Sequence, residues 1–225
     1  MQSTGQKHIV HELHPVIISG NIEISPDVYV ISWKRSADFS PGQVIKISMD
    51  MHEPPRIYSI CSGNRDEDIS VLFNVKPGGI LTPKMAAMRP GDQIFVSEPY
   101  GSFFCDEKPA HLISTGTGIA PFHSMIRSGK VKNKVLIHGV SHANQFYFED
   151  YLMKELGGNY IRCCSRERAD GCFSGRVTDY LQSLPDLPKG DKYYLCGQAL
   201  MVVEVRDLLI QKGVPYGQIY AEIFF

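Results

Sequence analysis

The chain changes its grammar once, near Asp106-Glu107-Lys108-Pro109, and that change limits its fold more than any other feature. Before it, short β-branched or aromatic runs follow one another: His14 to Ser19, Ile22 to Ile24, Asp27 to Ser32, Gln43 to Met49, Ile57 to Ser62, Ile69 to Val75 and Gln93 to Ser97. Turn residues punctuate them at Ser19-Gly20-Asn21, Pro41-Gly42, Ser62-Gly63-Asn64 and Pro90-Gly91-Asp92. Many short strands at close spacing predict a closed, six-stranded antiparallel barrel. One short helix interrupts it from Pro83 to Met88, with Thr82 placed as its N-cap and Pro83 in its first turn.

After the change, buried-type strands alternate with helical stretches. The strands are His111 to Thr115, Lys134 to Val140, Tyr160 to Ser165, Lys192 to Cys196 and Gln218 to Phe224. The helices fall near 119–127, 145–156, 176–184 and 199–212, the last closed by Gly213. Within it Val202, Val205, Leu208 and Leu209 keep helical spacing and set one face against a sheet. Such alternation predicts a five-stranded parallel α/β unit with right-handed crossovers. The expected division is 1–107 for the barrel and 108–225 for the parallel sheet, two modest cores in 225 residues.

A formal charge of −1 argues against nucleic acid or an anionic membrane as main partner. No apolar run approaches membrane-spanning length, and nothing like a signal peptide precedes His8. The six cysteines contain no C-x-x-C pair, so zinc-ribbon and dithiol readings lack support; free thiols in a reducing cytoplasm are the simplest expectation. The histidines at 8, 11 and 14 suggest a metal cluster, but their spacing on an extended segment alternates faces and disperses them. No metal site is expected.

Six short segments carry chemistry. Thr115-Gly116-Thr117-Gly118 follows an apolar strand and precedes a helix begun by Ile119-Ala120-Pro121, so its backbone N–H groups suit a pyrophosphate. Pro121 stands where G-x-G-x-x-G has its third glycine, which separates this loop from the standard dinucleotide fold. Gly78-Gly79-Ile80-Leu81-Thr82-Pro83 is a second anion candidate, with a plain turn as the alternative. Arg56 can pair bidentately with a phosphate, and strand alternation puts Tyr58 on its face and Ser59 on the other. Ser165-Arg166-Glu167-Arg168, with Arg176, suits a 2′-phosphate and hence NADP; a solvated charge cluster is the alternative. Cys196-Gly197 ends the fourth strand at the edge that holds Gly116, where the thiol is either a buried filler or packs on a reacting ring. Glu222 precedes two terminal aromatics, Phe224 and Phe225, an unusual ending for a solvated tail.

Together these residues resemble the bacterial branch of the ferredoxin (flavodoxin)–NADP reductase family, across essentially the whole chain. The resemblance implies FAD as cofactor and NADP(H) as substrate. It implies that Arg56, Ile57, Tyr58 and Ser59 form the flavin strand: arginine on the pyrophosphate, tyrosine on the isoalloxazine, serine hydroxyl near N5. Asn74, Val75 and the segment Gly79-Ile80-Leu81-Thr82 would complete the FAD site, and Phe224 would cover the ring with Phe225 toward the adenosine. Thr115, Gly116, Thr117, Gly118, Ser165, Arg166, Arg176, Cys196 and Gly197 would hold NADP, while Ser59, Cys196 and Glu222 would serve as catalytic residues.

Three departures stand out. Phe224 replaces the usual tyrosine, Ser141 lies where some members carry an arginine, and Val177 offers adenine no aromatic platform. The implied function is hydride exchange between NADP(H) and FAD with single electrons passed to or from ferredoxin or flavodoxin. The alternatives are a reductase component of an oxygenase, an NAD(P)H:flavin reductase, and a regulatory subunit that binds flavin and NADP(H) without turnover. An acidic acceptor calls for a basic face, to which Lys34, Arg35, Lys84 and Arg89 could contribute, although scattered solubilising charge is the stronger reading.

Overall fold

A computed structural model describes residues 12–224 of the chain. Histidines 8 and 11 and Phe225 lie outside the described residues, as does the side chain of Phe224. The first sheet is built from β1 (Leu13–Ser25), β2 (Val28–Lys34), β3 (Val44–Ser48), β4 (Arg56–Ser59), β5 (Asp68–Asn74) and β6 (Gln93–Ser97). Their order is β4-β3-β6-β1-β2-β5, and all pairs are antiparallel. The two ends meet where Ile60 bridges Val71 and the Cys61 N–H donates to the Ser70 carbonyl at 2.8 Å. The barrel is therefore closed just past the end of β4, while β4 itself pairs with β3 alone. Ile31, Trp33, Ile45, Ile47, Ile60, Val71, Ile94 and Val96 fill its interior.

Two local expectations need correction. Ser19-Gly20-Asn21 is not a turn: β1 runs through it, with a register irregularity between Ile18 and Gly20. The irregularity lets one strand serve two partners, β6 through residues 13–17 and β2 from Ile18 onward. Thr82 does not cap the short helix α1 (Leu81–Ala87), whose N-cap position is Ile80. Its hydroxyl instead accepts from the Lys76 N–H at 2.9 Å, which ties the Lys76–Gly79 turn to the helix.

The second sheet is wholly parallel, in the order β10-β9-β8-β7-β11-β12. Its strands are β7 (Ala110–Thr115), β8 (Lys134–Val140), β9 (Tyr160–Cys164), β10 (Phe173–Ser174), β11 (Lys192–Gln198) and β12 (Ile219–Phe224). The sixth strand, β10, is two residues long, too short for periodicity to reveal. Helices α2 (Ala120–Arg127), α3 (Glu149–Leu156), α4 (Val177–Ser183) and α5 (Ala199–Gln211) cover the sheet. Alternating residues feed opposite faces. Leu112, Leu136 and Tyr194 join a core with Phe122 and Met125, while Ile113, Ile137 and Leu195 join one with Val202, Val205 and Leu209. The first of these cores also takes Val28, Cys61, Leu72 and Phe103 from the barrel side, so apolar packing is continuous between the halves. From β7 the chain winds one way through β8 and β9 and the other way through β11 and β12. The switch point thus lies between β7 and β11.

Candidate active site

A cavity of about 1780 Å³ runs between the barrel and the C-terminal ends of the parallel strands. Its size exceeds the usual range for a drug-sized ligand, roughly 300–1,000 Å³, and suits a long or two-part ligand. On the barrel side β4 supplies Arg56, Ile57, Tyr58 and Ser59, all four of which line the cavity. This is wider use of β4 than alternation suggested, because the strand pairs with β3 alone through its ladder and leaves its other edge open. Ile57 is 56% exposed, and the Tyr58 ring meets Phe73 edge-on at 6.5 Å between centroids. Burial pushes the Tyr58 hydroxyl up to about 12, against the opposing pull of Arg56, so the ring stays neutral. Asn74 ends β5, and it and the following Val75 line the same wall with Gly79, Ile80, Leu81 and Thr82.

Opposite them, Thr115, Gly116 and Thr117 form the floor at the end of β7. Gly116 has φ +52°, a left-handed conformation that turns the backbone out of the strand. Gly118 lies beneath the surface: a Cβ there would come within 2.3 Å of the Cys196 carbonyl oxygen. The loop and the end of β11 are therefore in backbone contact, and Gly197 also lines the cavity. The Thr115 hydroxyl is buried with no hydrogen-bond partner, an unspent polar group at the cavity floor.

Glu222 joins the two walls. The Ser59 hydroxyl donates to its carboxylate at 3.4 Å across 163 positions of sequence. Removal from water raises the Glu222 carboxyl to about 7, with the Ser59 hydrogen bond pulling the other way. Cys196 pairs in register with Glu222 but is fully buried and lies outside the cavity lining. Burial first, then the neighbouring carboxylate, keeps its thiol well above the ordinary range and protonated.

The arginines divide. Arg176, at the start of α4, lines the cavity together with Ser165, Ser141 and Val177. Arg166 is exposed and lies outside the lining; its N–H donates to the Ser141 carbonyl at 3.0 Å. Glu167 accepts from the Ala143 N–H at 2.6 Å and pairs with His142, so it clamps the 141–145 segment rather than facing the cavity. Phe224 holds its place in β12 opposite Gln198. Sequence reasoning missed Tyr100, Gly101, Gln198, Met201 and Glu204, which also line the cavity. The last three had a positional signal, since they follow Cys196-Gly197 past a strand C-terminus. Tyr100 had none. Lys34 pairs with Asp68 and Glu67, and Lys84 with Glu53, so these cations sit in mixed charge. Among the described residues no group of three or more His, Cys, Asp or Glu side chains is arranged to hold a metal ion. None of the helices among the described residues is long and apolar enough to cross a membrane.

Residues 112–207 match the family described as Oxidoreductase NAD-binding domain. The flavodoxin/ferredoxin–NADP reductase of Escherichia coli (strain K12) is 32% identical over 189 residues, covering 73% of this chain and 76% of that protein. The toluate 1,2-dioxygenase electron transfer component of Pseudomonas putida is 28% identical over 224 residues, covering 92% of this chain but only 66% of its own length. Among solved structures, a ferredoxin NADP+ reductase from Neisseria gonorrhoeae with bound FAD and NADP superposes with a TM-score of 0.84. It is 22% identical and covers 95% of this chain and 99% of that one. With a barrel, a parallel sheet and a shared cleft already in place, this level of identity settles the kinship: the chain belongs to the ferredoxin–NADP reductase family.

Proposed function

We propose that the chain is a flavoprotein oxidoreductase that exchanges hydride between NADP(H) and FAD and single electrons with a protein partner, ferredoxin or flavodoxin. One observation carries the reading: the Ser59–Glu222 hydrogen bond brings the barrel strand, the nucleotide-side sheet and a carboxyl titrating near 7 to one point of one cavity. The residues fit the two nucleotides. The volume of about 1780 Å³ exceeds the roughly 300–1,000 Å³ of a site for one drug-sized ligand, the Thr115 hydroxyl lacks a partner, and the Gly116 backbone stands open with no neighbour within 4 Å where a side chain would begin.

Bound flavin supplies the chemistry that no side chain can: it accepts a hydride and releases electrons one at a time. The chain's own groups bind, orient and titrate. Arg56 offers a fork to an anionic phosphate, and the half-buried Tyr58 offers a flat neutral face. The turn fixed by Thr82 presents Gly79 and Ile80 to the same ligand. On the other wall Thr115 to Thr117 meet a pyrophosphate, and Arg176 with Ser165 meets a 2′-phosphate. Ser59 and Glu222 together hold one proton at the reacting edge, with the carboxyl poised to take or give it near neutral pH. Cys196 sets the depth of the floor by packing beneath it. The residues on the two walls would supply much of the rate by holding the bound nucleotides in place against one another.

The purified protein should be yellow, and NADPH should bleach it in a stopped-flow mixer before any acceptor is added. Colourless, folded protein that takes up neither FAD nor FMN would end this reading. Turnover with ferredoxin, flavodoxin and an iron–sulfur oxygenase partner in parallel identifies the acceptor. The third is included because the P. putida relative aligns along 92% of the chain.

A further inference from the structure

His138 is a buried histidine for which the site described so far has no use. It lies in β8 with no exposed surface, facing Ser114 of β7 in register. Its Nε2 is 3.3 Å from the Gly116 carbonyl oxygen, and its Nδ1 is 3.1 Å from the Tyr160 hydroxyl. Phe146 packs edge-on at 5.5 Å and Tyr160 lies face-on at 6.3 Å, so the ring has a fixed plane.

The donor inventory of these three groups leaves one arrangement. A carbonyl only accepts, so Nε2 must carry the hydrogen that meets Gly116. Burial holds the imidazole at about 4, hence neutral with a single N–H at working pH. Nδ1 is then an acceptor and the Tyr160 hydroxyl donates to it. Burial keeps that phenol protonated. The chain of bonds runs from Tyr160 through His138 to the Gly116 carbonyl.

The consequence follows from peptide planarity. A trans peptide sets its C=O and the next N–H in opposite directions, and there are no cis peptides among the described residues. Drawing the Gly116 carbonyl inward toward His138 therefore turns the Thr117 N–H the other way, toward the cavity that Gly116 and Thr117 line. We infer that His138, with its tautomer set by the Gly116 carbonyl and supported by the Tyr160 hydroxyl, is a positioning residue that orients the Gly116–Thr117 peptide so that its N–H faces the pyrophosphate of the pyridine nucleotide. This rests on the proposed function for the identity of the anion, and on the structure alone for the tautomer and the peptide orientation.

The test pairs a spectroscopic readout with binding. Histidine ¹⁵N shifts of the flavin-loaded protein should show His138 as the Nε2–H tautomer between pH 6 and 8. Tyr160→Phe removes the hydroxyl that donates to Nδ1 and holds the imidazole in place while keeping the ring, and His138→Leu removes the whole link. Both should raise the NADP+ dissociation constant about five-fold or more, the loss expected for one oriented hydrogen bond. KM for NADPH should rise with kcat little changed, because the bond serves ground and transition states alike. His138→Gln, which keeps an N–H donor in reach, should recover part of the affinity. Near-ultraviolet circular dichroism and retained flavin identify folded variants. Should His138→Leu misfold, Tyr160→Phe and the wild-type tautomer carry the test. An Nδ1–H tautomer, or folded variants with wild-type NADP+ affinity, would overturn the inference and leave the proposed function standing. Wild-type protein that binds no pyridine nucleotide would remove both the function and the role, with the tautomer still readable.

Discussion

At the scale of single residues, the cleft depends on a carboxyl that titrates within the working range. Glu222 has its pKa near 7 in the fold and near 4.5 in an unfolded chain, so the folded state holds the proton more tightly. The stabilisation linked to that proton is full below pH 4.5 and disappears as pH rises through 7. Glu222→Gln should therefore match wild type in urea melts at pH 4.5 and exceed it at pH 8, by at most about 3 kcal/mol. The same substitution should flatten the pH dependence of flavin reduction by NADPH near 7; a limb that survives would assign that titration elsewhere. The arginines give a sharper contrast. Arg176 lines the cavity and Arg166 does not, so Arg176→Ala should raise KM for NADPH several-fold with little effect on NADH. Arg166→Ala should have the smaller effect of the two. Equal losses would return the 2′-phosphate to both.

At the scale of elements, the floor of the cavity is a contact between the loop after β7 and the last residues of β11. A methyl group at position 118 has no room beside the Cys196 carbonyl, which is backbone and cannot swing away. Gly118→Ala should cost about 1–3 kcal/mol in chemical denaturation and loosen NADP+ binding in the same variant. Unchanged stability would show that the loop and β11 move independently. This contact was only half legible in the sequence. Glycines after an apolar strand announced a phosphate loop, yet Gly118 acts by packing, a role that depends on a strand about 80 positions away. Thr82 shows the same limit. Its position before Pro83 suggested a cap, because local spacing cannot tell a hydroxyl aimed at its own helix from one aimed back at Lys76. Gly20 read as a turn because a bulge and a turn use the same residues.

At the scale of the whole molecule, the two sheets are tied by α2. His123 Nδ1 donates to the Cys61 carbonyl at 2.7 Å, the Ser124 hydroxyl donates to the Ser62 carbonyl at 2.7 Å, and the Asn64 N–H donates to the Ser128 hydroxyl at 2.9 Å. The junction is held as well. Lys192 pairs with Asp106 at 2.7 Å, Lys134 donates to the Lys108 carbonyl at 2.8 Å, and Lys130 pairs with Glu107. Since α2 begins just after the 115–118 loop and grips the segment just after β4, it sets the distance between the two halves of the cleft. The halves should melt together. Trp33 is the sole tryptophan and lies in the barrel core, so its fluorescence reports that half alone, while helical circular dichroism is dominated by the other. Coincident transitions are expected; a barrel that melts first would show that the seam does not couple them. The division of the chain into 1–107 and 108–225 is thus proposed as one of topology rather than of independent folding.

The amino-acid order alone determined the class of each half and the family resemblance, and it named the candidate phosphate loop and flavin strand, because these follow from periodicity and short motifs within a few residues of one another. Only the tertiary structure decided which candidates share a cavity, that Arg176 faces it while Arg166 does not, that Cys196 lies beneath it, and that His138 reaches Gly116. Those outcomes depend on burial and on pairs as distant as Ser59 and Glu222. Burial and long-range pairing arise only when strands far apart in the chain pack side by side.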